Sequence, residues 1–213
     1  MSTLRLNVLA NFLGQGWAAL LQIAAIPVYI RLIGIEAYGL IGFYVALLTT
    51  IQVFDLGLGQ TTTRELARLA IAPDKLRGAR DFLKTIGLVY WGVAGLIAVA
   101  ILLSASFLAN NVIKAQGLPQ DVTRDAIMLM GVIIPMQWAV NLRLGALMGL
   151  ERQVLVNMLR IVMATAAAGG AVLVLWLVSP TVTAYFWWQL LVVTINFIII
   201  AVILDRVLPA PLH

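Results

Sequence analysis

The sequence predicts an all-α integral membrane protein, a bundle of six transmembrane helices with both termini on the cytoplasmic side. Three observations carry this expectation. The chain is 62% hydrophobic and 11% charged over 213 residues, with a mean hydropathy of +1.02, whereas a water-soluble domain of that length needs far more charge to cover its surface. Six apolar runs are each long enough for the roughly 20 residues a helix needs to cross a bilayer. Those runs also lack the strict every-second-residue alternation of membrane barrel strands.

The first run, Asn7–Ile33, is too long for a signal peptide and has no small-residue cleavage site, so it reads as a retained helix. Arg31–Ala37 forms a tight turn around Gly34, and the second span follows over Tyr38–Gln60. Thr61–Asp81 is the one long polar link, and Pro73-Asp74 within it marks a helix restart. The third span covers Phe82–Asn110, followed by a link that contains Gly117 and Pro119. Ala126–Gly149, Val154–Val178 and Val182–Leu204 complete the set, separated by the brief links Glu151–Gln153 and Ser179–Thr181. No repeat, low-complexity segment or soluble domain interrupts residues 1–213, which read as a single membrane unit.

Orientation follows from the basic residues in the short loops. With a cytoplasmic N-terminus, Arg5, Arg64, Arg68, Lys75, Arg77, Arg80, Lys84, Arg152 and Arg206 lie inside, and only Arg31, Lys114 and Arg124 lie outside. The net charge of +5 is concentrated in one segment and gives no sign of a nucleic-acid partner. Cysteine is absent, which excludes disulfides and thiolate metal sites. With one histidine, His213, and no paired-carboxylate or activated Ser arrangement, the pattern speaks against an enzyme and implies no cofactor.

Polar side chains in a span avoid lipid, so their helical angle marks the interior. At 100° per residue, Asn7, Asn11, Gln15, Gln22 and Tyr29 fall within about 80° on the first span. Tyr44, Gln52, Asp55, Gly59 and Thr62 share a sector of the second. Gln137, Asn141 and Gly145 align on the fourth, Asn157 and Arg160 lie near Ala164 and Ala168 on the fifth, and Tyr185, Gln189 and Asn196 align on the sixth. The third span has no such stripe and reads as peripheral. Interhelical hydrogen bonding accounts for any single amide, while the long first stripe with partners on four other helices favours a cavity. Gly145-x-x-x-Gly149 reads as a close-packing contact. The tryptophans suit interfacial belts, with Trp17 and Trp138 deep enough for packing or sugar stacking.

Three charges fall well inside spans, away from their ends. Asp55 lies about 8 Å from the cytoplasmic end, Arg143 about 9 Å, and Arg160 about 9–12 Å by the helical rise. Two readings stand open. In one, the arginines snorkel to the headgroups and Asp55 pairs with one of them. In the other, all three line a cytoplasm-facing cavity of net positive charge that holds phosphate through paired N–H donors.

Three stretches resemble the oligosaccharide flippase family of polysaccharide biosynthesis proteins: "IPVYIRLIGIEAYGL", "FDLGLGQTTTRELAR" and "LRLGALMGLERQ", the last with Arg143, Gly149 and Arg152 in matching positions. The resemblance covers the whole chain and places it in the multidrug, oligosaccharidyl-lipid and polysaccharide exporter superfamily. It implies a carrier of undecaprenyl-pyrophosphate glycans across the bacterial inner (cytoplasmic) membrane, built from two lobes around a central cavity and working by alternating access. Cationic cavity residues would hold the pyrophosphate and glycan. On this reading Arg143 and Arg160 are ligand or gating groups. Arg31 with Glu36 is an outer gate or a plain surface ion pair, Asp55 pairs with a nearby arginine, and Gly57 and Gly59 permit close helix approach. The six spans correspond to one lobe, so the expected partners are lipid-linked oligosaccharide, membrane lipids, and a missing second lobe or a homodimer partner. A truncated flippase is the favoured form. The rivals are a cation-coupled small-molecule exporter of the same superfamily, which needs intramembrane carboxylates, and a non-transporting membrane module that packs with a partner.

Overall fold

The computed structural model describes residues 3–53, 55, 57–70, 76–113 and 118–208, with the side chains of residues 3–11, 13, 76, 77 and 112 outside that description. The described residues form seven α-helices: α1 Thr3–Ile33, α2 Ile35–Val53, α3 Leu58–Ala70, α4 Leu76–Phe107, α5 Gln120–Gly149, α6 Gln153–Leu177 and α7 Val182–Val207. A π-helical turn, Leu108–Val112, extends α4. All except α3 are long and apolar enough to cross a membrane. The expected restart at Pro73-Asp74 lies outside the described residues.

Local chemistry sets the breaks. Gly34, at φ 84°, donates its N–H to the Ile30 carbonyl at 2.9 Å and turns α1 into α2. Thr181 caps α7, its hydroxyl oxygen accepting the Ala184 N–H at 3.3 Å. The expected second span, Tyr38–Gln60, is two helices. Gly57 takes a left-handed φ of 79°. The Asp55 carbonyl accepts the Leu58 N–H at 2.8 Å, and its Oδ2 accepts the Gly59 N–H at 3.0 Å. The aspartate therefore caps a new helix instead of continuing the old one. Much of the expected polar link is this helix, α3, which buries Thr62, Leu66 and Leu69 on one face and exposes Arg64 and Arg68 on the other.

Helix α5 is the centre of the bundle. Its span is 61% buried, against 11–28% for the other five. Helices α3, α4 and α7 pack directly on it, and α1 lies along α6. Ile127, Met130, Ile133, Ile134 and Leu147 of α5 are fully buried beside Leu40 of α2 and Phe186 and Ile200 of α7. Helix α4 is peripheral as expected, touching the core by one edge through Tyr90, Ala94, Ile101 and Ala105. Its outer face and those of its neighbours show large apolar side chains such as Leu88, Leu96, Leu103, Trp176 and Trp187. Water would penalise such a surface, whereas hydrocarbon accepts it.

Lipid tails are as apolar as the helices, so close fit must replace the hydrophobic effect in holding the bundle together. The Gly145–Gly149 pair supplies that fit. A Cβ on Gly149 would lie 2.5 Å from the Thr63 carbonyl oxygen, and one on Gly145 would lie 3.2 Å from Thr63 Oγ1. The Thr63 hydroxyl donates to the Gly145 carbonyl at 3.0 Å across the seam. Edge-on ring pairs, Tyr29 with Tyr185 and Tyr44 with Phe186, join α1 and α2 to α7.

Candidate functional site

Among the described residues, Arg143 and Arg160 fall in two different polar openings into the bundle. The larger, about 560 Å³, lies between α4, α5 and α7 and is lined by Arg80, Lys84, Tyr90, Trp91, Arg143 and Asp205 together with apolar groups. The smaller, about 280 Å³, lies between α2, α5, α6 and α7 and is lined by Tyr44, Gln137, Asn141, Arg160, Gln189 and Asn196 among others.

The smaller cavity assembles the amide sectors expected on the fourth and sixth spans. Gln137 and Asn141 are one turn apart on α5, and Gln189 and Asn196 lie two turns apart on α7, so each pair shares a face. Gln189 donates to the Ala167 carbonyl at 3.1 Å. Asn196 is 9% exposed, and its side-chain oxygen has no hydrogen-bond partner among the described residues. Among the described residues the Arg160 guanidinium reaches only the sulfur of Met148, at 4.0 Å. Among the described residues no carboxylate lines the cavity, so these groups give it one positive charge among neutral hydrogen-bonding groups.

Arg143 stands in the other opening, its guanidinium carbon 4.0 Å from the centre of the Phe197 ring. It reaches the Ala139 carbonyl only at 3.4 Å. Arg80 pairs with Asp205 at 3.2 Å in the same opening. Arg143 and Arg160 therefore do not converge on one phosphate site. Spacing along the chain gave them similar depths, but α5 and α6 turn them to different sides of the bundle.

Asp55 pairs with neither arginine, contrary to expectation. The Tyr90 hydroxyl donates to its Oδ1, and the Gly59 N–H donates to its Oδ2. Tyr90 in turn packs on Trp138, ring centres 4.6 Å apart, which makes Trp138 a packing residue. The break at Gly57 is the reason: it swings the carboxylate onto the N-terminus of α3, where N–H groups and the helix dipole favour a negative charge. Gly57 serves this turn and not helix approach, since a Cβ there would meet nothing within 4 Å. Gly59 does permit close approach, with Asp55 Oδ2 at 3.2 Å and the Tyr90 hydroxyl at 3.6 Å from a Cβ built on it.

The stripe on the first span does not form an interior wall. Gln15 and Gln22 are exposed and line neither opening, whereas Tyr29 is buried and donates to the Ala168 carbonyl at 3.0 Å. The Asn11 side chain lies outside the described residues. Asn157 is buried where α6 meets Gly14 of α1. Arg31 is exposed at the end of α1 and lines neither opening. Trp17 donates its indole N–H to Thr165 at 2.9 Å.

Sequence reasoning missed Tyr90, Arg80, Lys84 and Asp205. Arg80 and Lys84 count only as inside charges in the orientation argument, although they are four residues apart and share a helical face. On the solvent side of α3, Arg68 Nε donates to Glu65 Oε2 at 3.0 Å. That hydrogen bond holds the Glu65 carboxyl below its ordinary value.

No curated protein and no solved structure matches the chain. A family model does, over residues 4–211, and its description is polysaccharide biosynthesis protein. With a six-span helical bundle and a match over nearly its whole length, the chain belongs to the polysaccharide biosynthesis protein family.

Proposed function

We propose that the chain forms one wall of a pathway that moves a lipid-linked oligosaccharide, a glycan on undecaprenyl pyrophosphate, across the bacterial cytoplasmic membrane. Membership in the family ties the chain to polysaccharide export or flippase-like transport by a multi-pass membrane protein, not to enzyme chemistry. The observation that carries the finer reading is the smaller cavity. It presents one guanidinium, four side-chain amides and the Tyr44 hydroxyl within the bundle, with no carboxylate among the described residues lining it. Amides pair with sugar hydroxyls, and an uncompensated guanidinium favours an anionic group in low dielectric.

Gln15, Gln22 and Gln52 support the same reading. All three are exposed on membrane-crossing helices. Exposed amides cost free energy against hydrocarbon, so each of these positions suits water or protein. Alternating access needs a second body to rock against, supplied here by a second lobe or a second copy. The positive-inside bias supports termini on the cytoplasmic side.

The test is Arg160→Gln in the complete transport assembly, scored by surface polysaccharide at matched membrane expression. Polysaccharide is expected to fall at least severalfold, while unchanged polysaccharide would sink the reading. The cation-coupled exporter is the weaker alternative, because the cavity has no carboxylate lining and Asp55 is engaged at the start of α3. A non-transporting module would bind the lipid-linked glycan without moving it between leaflets.

A further inference from the structure

We propose that the groove between α4, α5 and α7 is a binding site for an anionic phospholipid, with the phosphate held by Arg80, Lys84 and Arg143 and an acyl chain lying along Leu88 and Trp91. This does not rest on the transport reading and assigns a second, separate site.

The charge comes first. Three cations and one acid, Asp205, line the groove. Asp205 is taken by Arg80 at 3.2 Å, so the site keeps a positive excess that complements a phosphate. Arg143 has the strongest need for a partner. It sits within a membrane-crossing helix, partly buried, with one aromatic face and one long carbonyl contact for a group that has five N–H donors. Asp205 attracts it only from beyond contact, and no carboxylate among the described residues lies within ion-pairing distance of it. Leaving that cation unmatched in a low-dielectric layer is costly, and a phosphate relieves the cost through paired charge-assisted bonds.

The shape selects a lipid over a free phosphate. Lys84 and Trp91 are seven residues apart on α4, about 10 Å along the axis, so the groove runs from its basic end into the hydrocarbon layer. Gly87 between them leaves the floor without a side chain, and a Cβ there would meet nothing within 4 Å. Leu88 and Trp91 are 75% and 43% exposed on the outer face of the bundle. The groove is therefore open sideways, with apolar walls and a cationic mouth. Such basic pockets between membrane helices suit phosphate headgroups.

The experiment uses the purified chain in nanodiscs that contain either brominated phosphatidylglycerol or brominated phosphatidylcholine. The site signal is the tryptophan quenching lost in Trp91→Phe. Phosphatidylglycerol is expected to occupy this site at least fivefold more strongly than phosphatidylcholine. Lys84→Gln, an exposed position with no role in packing, is expected to reduce the preference roughly fivefold, as about one surface cation's worth of lipid attraction. Arg143→Gln added to it is expected to abolish the preference. Equal quenching by the two lipids overturns the proposal, as does a preference that Lys84→Gln leaves unchanged. Displacement of the phosphatidylglycerol signal by millimolar inorganic pyrophosphate also overturns it, because the occupant would then be a free phosphate.

Discussion

Replacing Gly149 with alanine tests whether backbone contact at the α3–α5 seam holds the bundle together. The added Cβ would lie 2.5 Å from the Thr63 carbonyl oxygen and 2.9 Å from Leu66 Cβ. Both are held in α3, so neither can rotate away. Restoring ordinary contact requires the two helices to part by about 0.9 Å. That displacement also stretches the 3.0 Å hydrogen bond from the Thr63 hydroxyl to the Gly145 carbonyl. Overpacking costs about 1–3 kcal/mol, and a weakened hydrogen bond adds about 1 kcal/mol, giving a loss of about 2–4 kcal/mol. Gly92→Ala is the control. It lies on the open face of α4 with nothing within 4 Å of its Cβ position, and alanine's helix propensity should make it neutral or stabilising by up to about 1 kcal/mol. The assay is reversible unfolding of the purified chain in mixed micelles with increasing SDS, followed by tryptophan fluorescence and helix content. Equal midpoints for the two variants would refute the argument, because the seam would then tolerate a side chain that the geometry forbids.

Two further outcomes follow from the polar groups around α3, beside the polysaccharide and lipid tests above. Tyr90→Phe removes the hydroxyl that donates to Asp55 Oδ1 but leaves the ring on Trp138; it should lower stability by about 2 kcal/mol, as expected for a hydrogen bond to a charged group, in the same SDS unfolding assay. The Glu65 carboxyl should titrate below its ordinary value in carbon-detected NMR, and Arg68→Gln should return it. Because the folded value is the lower one, any stability from this exposed pair is present above the unfolded carboxylate range, lost as the pH falls through the folded value, and reduced by salt.

The membrane bundle was legible in the sequence because bilayer thickness fixes both span length and apolar composition. The expected spans match α6 and α7 closely at both ends, whereas those for α4 and α5 match at the C-terminal end but start at Phe82 and Ala126 where the helices start at Leu76 and Gln120. The amide sectors around Gln137, Asn141, Gln189 and Asn196 were legible too, since a straight helix converts spacing directly into a shared face. The same projection failed at Asp55, where Gly57 ends the helical register and makes residues beyond it incommensurate with Tyr44 and Gln52. It was also uninformative for Gln15 and Gln22, because angle on one helix does not say which neighbour that helix packs against.

The sequence by itself determined that this chain is a helical membrane protein of the polysaccharide biosynthesis family, with a cation excess inside its spans. Those properties follow from composition, run length and local motifs, which act residue by residue. Only the tertiary structure decided that Arg143 and Arg160 enter separate openings, that Asp55 binds Tyr90 across α3 and α4 instead of an arginine, and that Arg80 and Lys84 join Arg143. Those pairings depend on how α3, α5 and α7 rotate and approach, and contacts such as Gly149 against the Thr63 backbone set that rotation through shape.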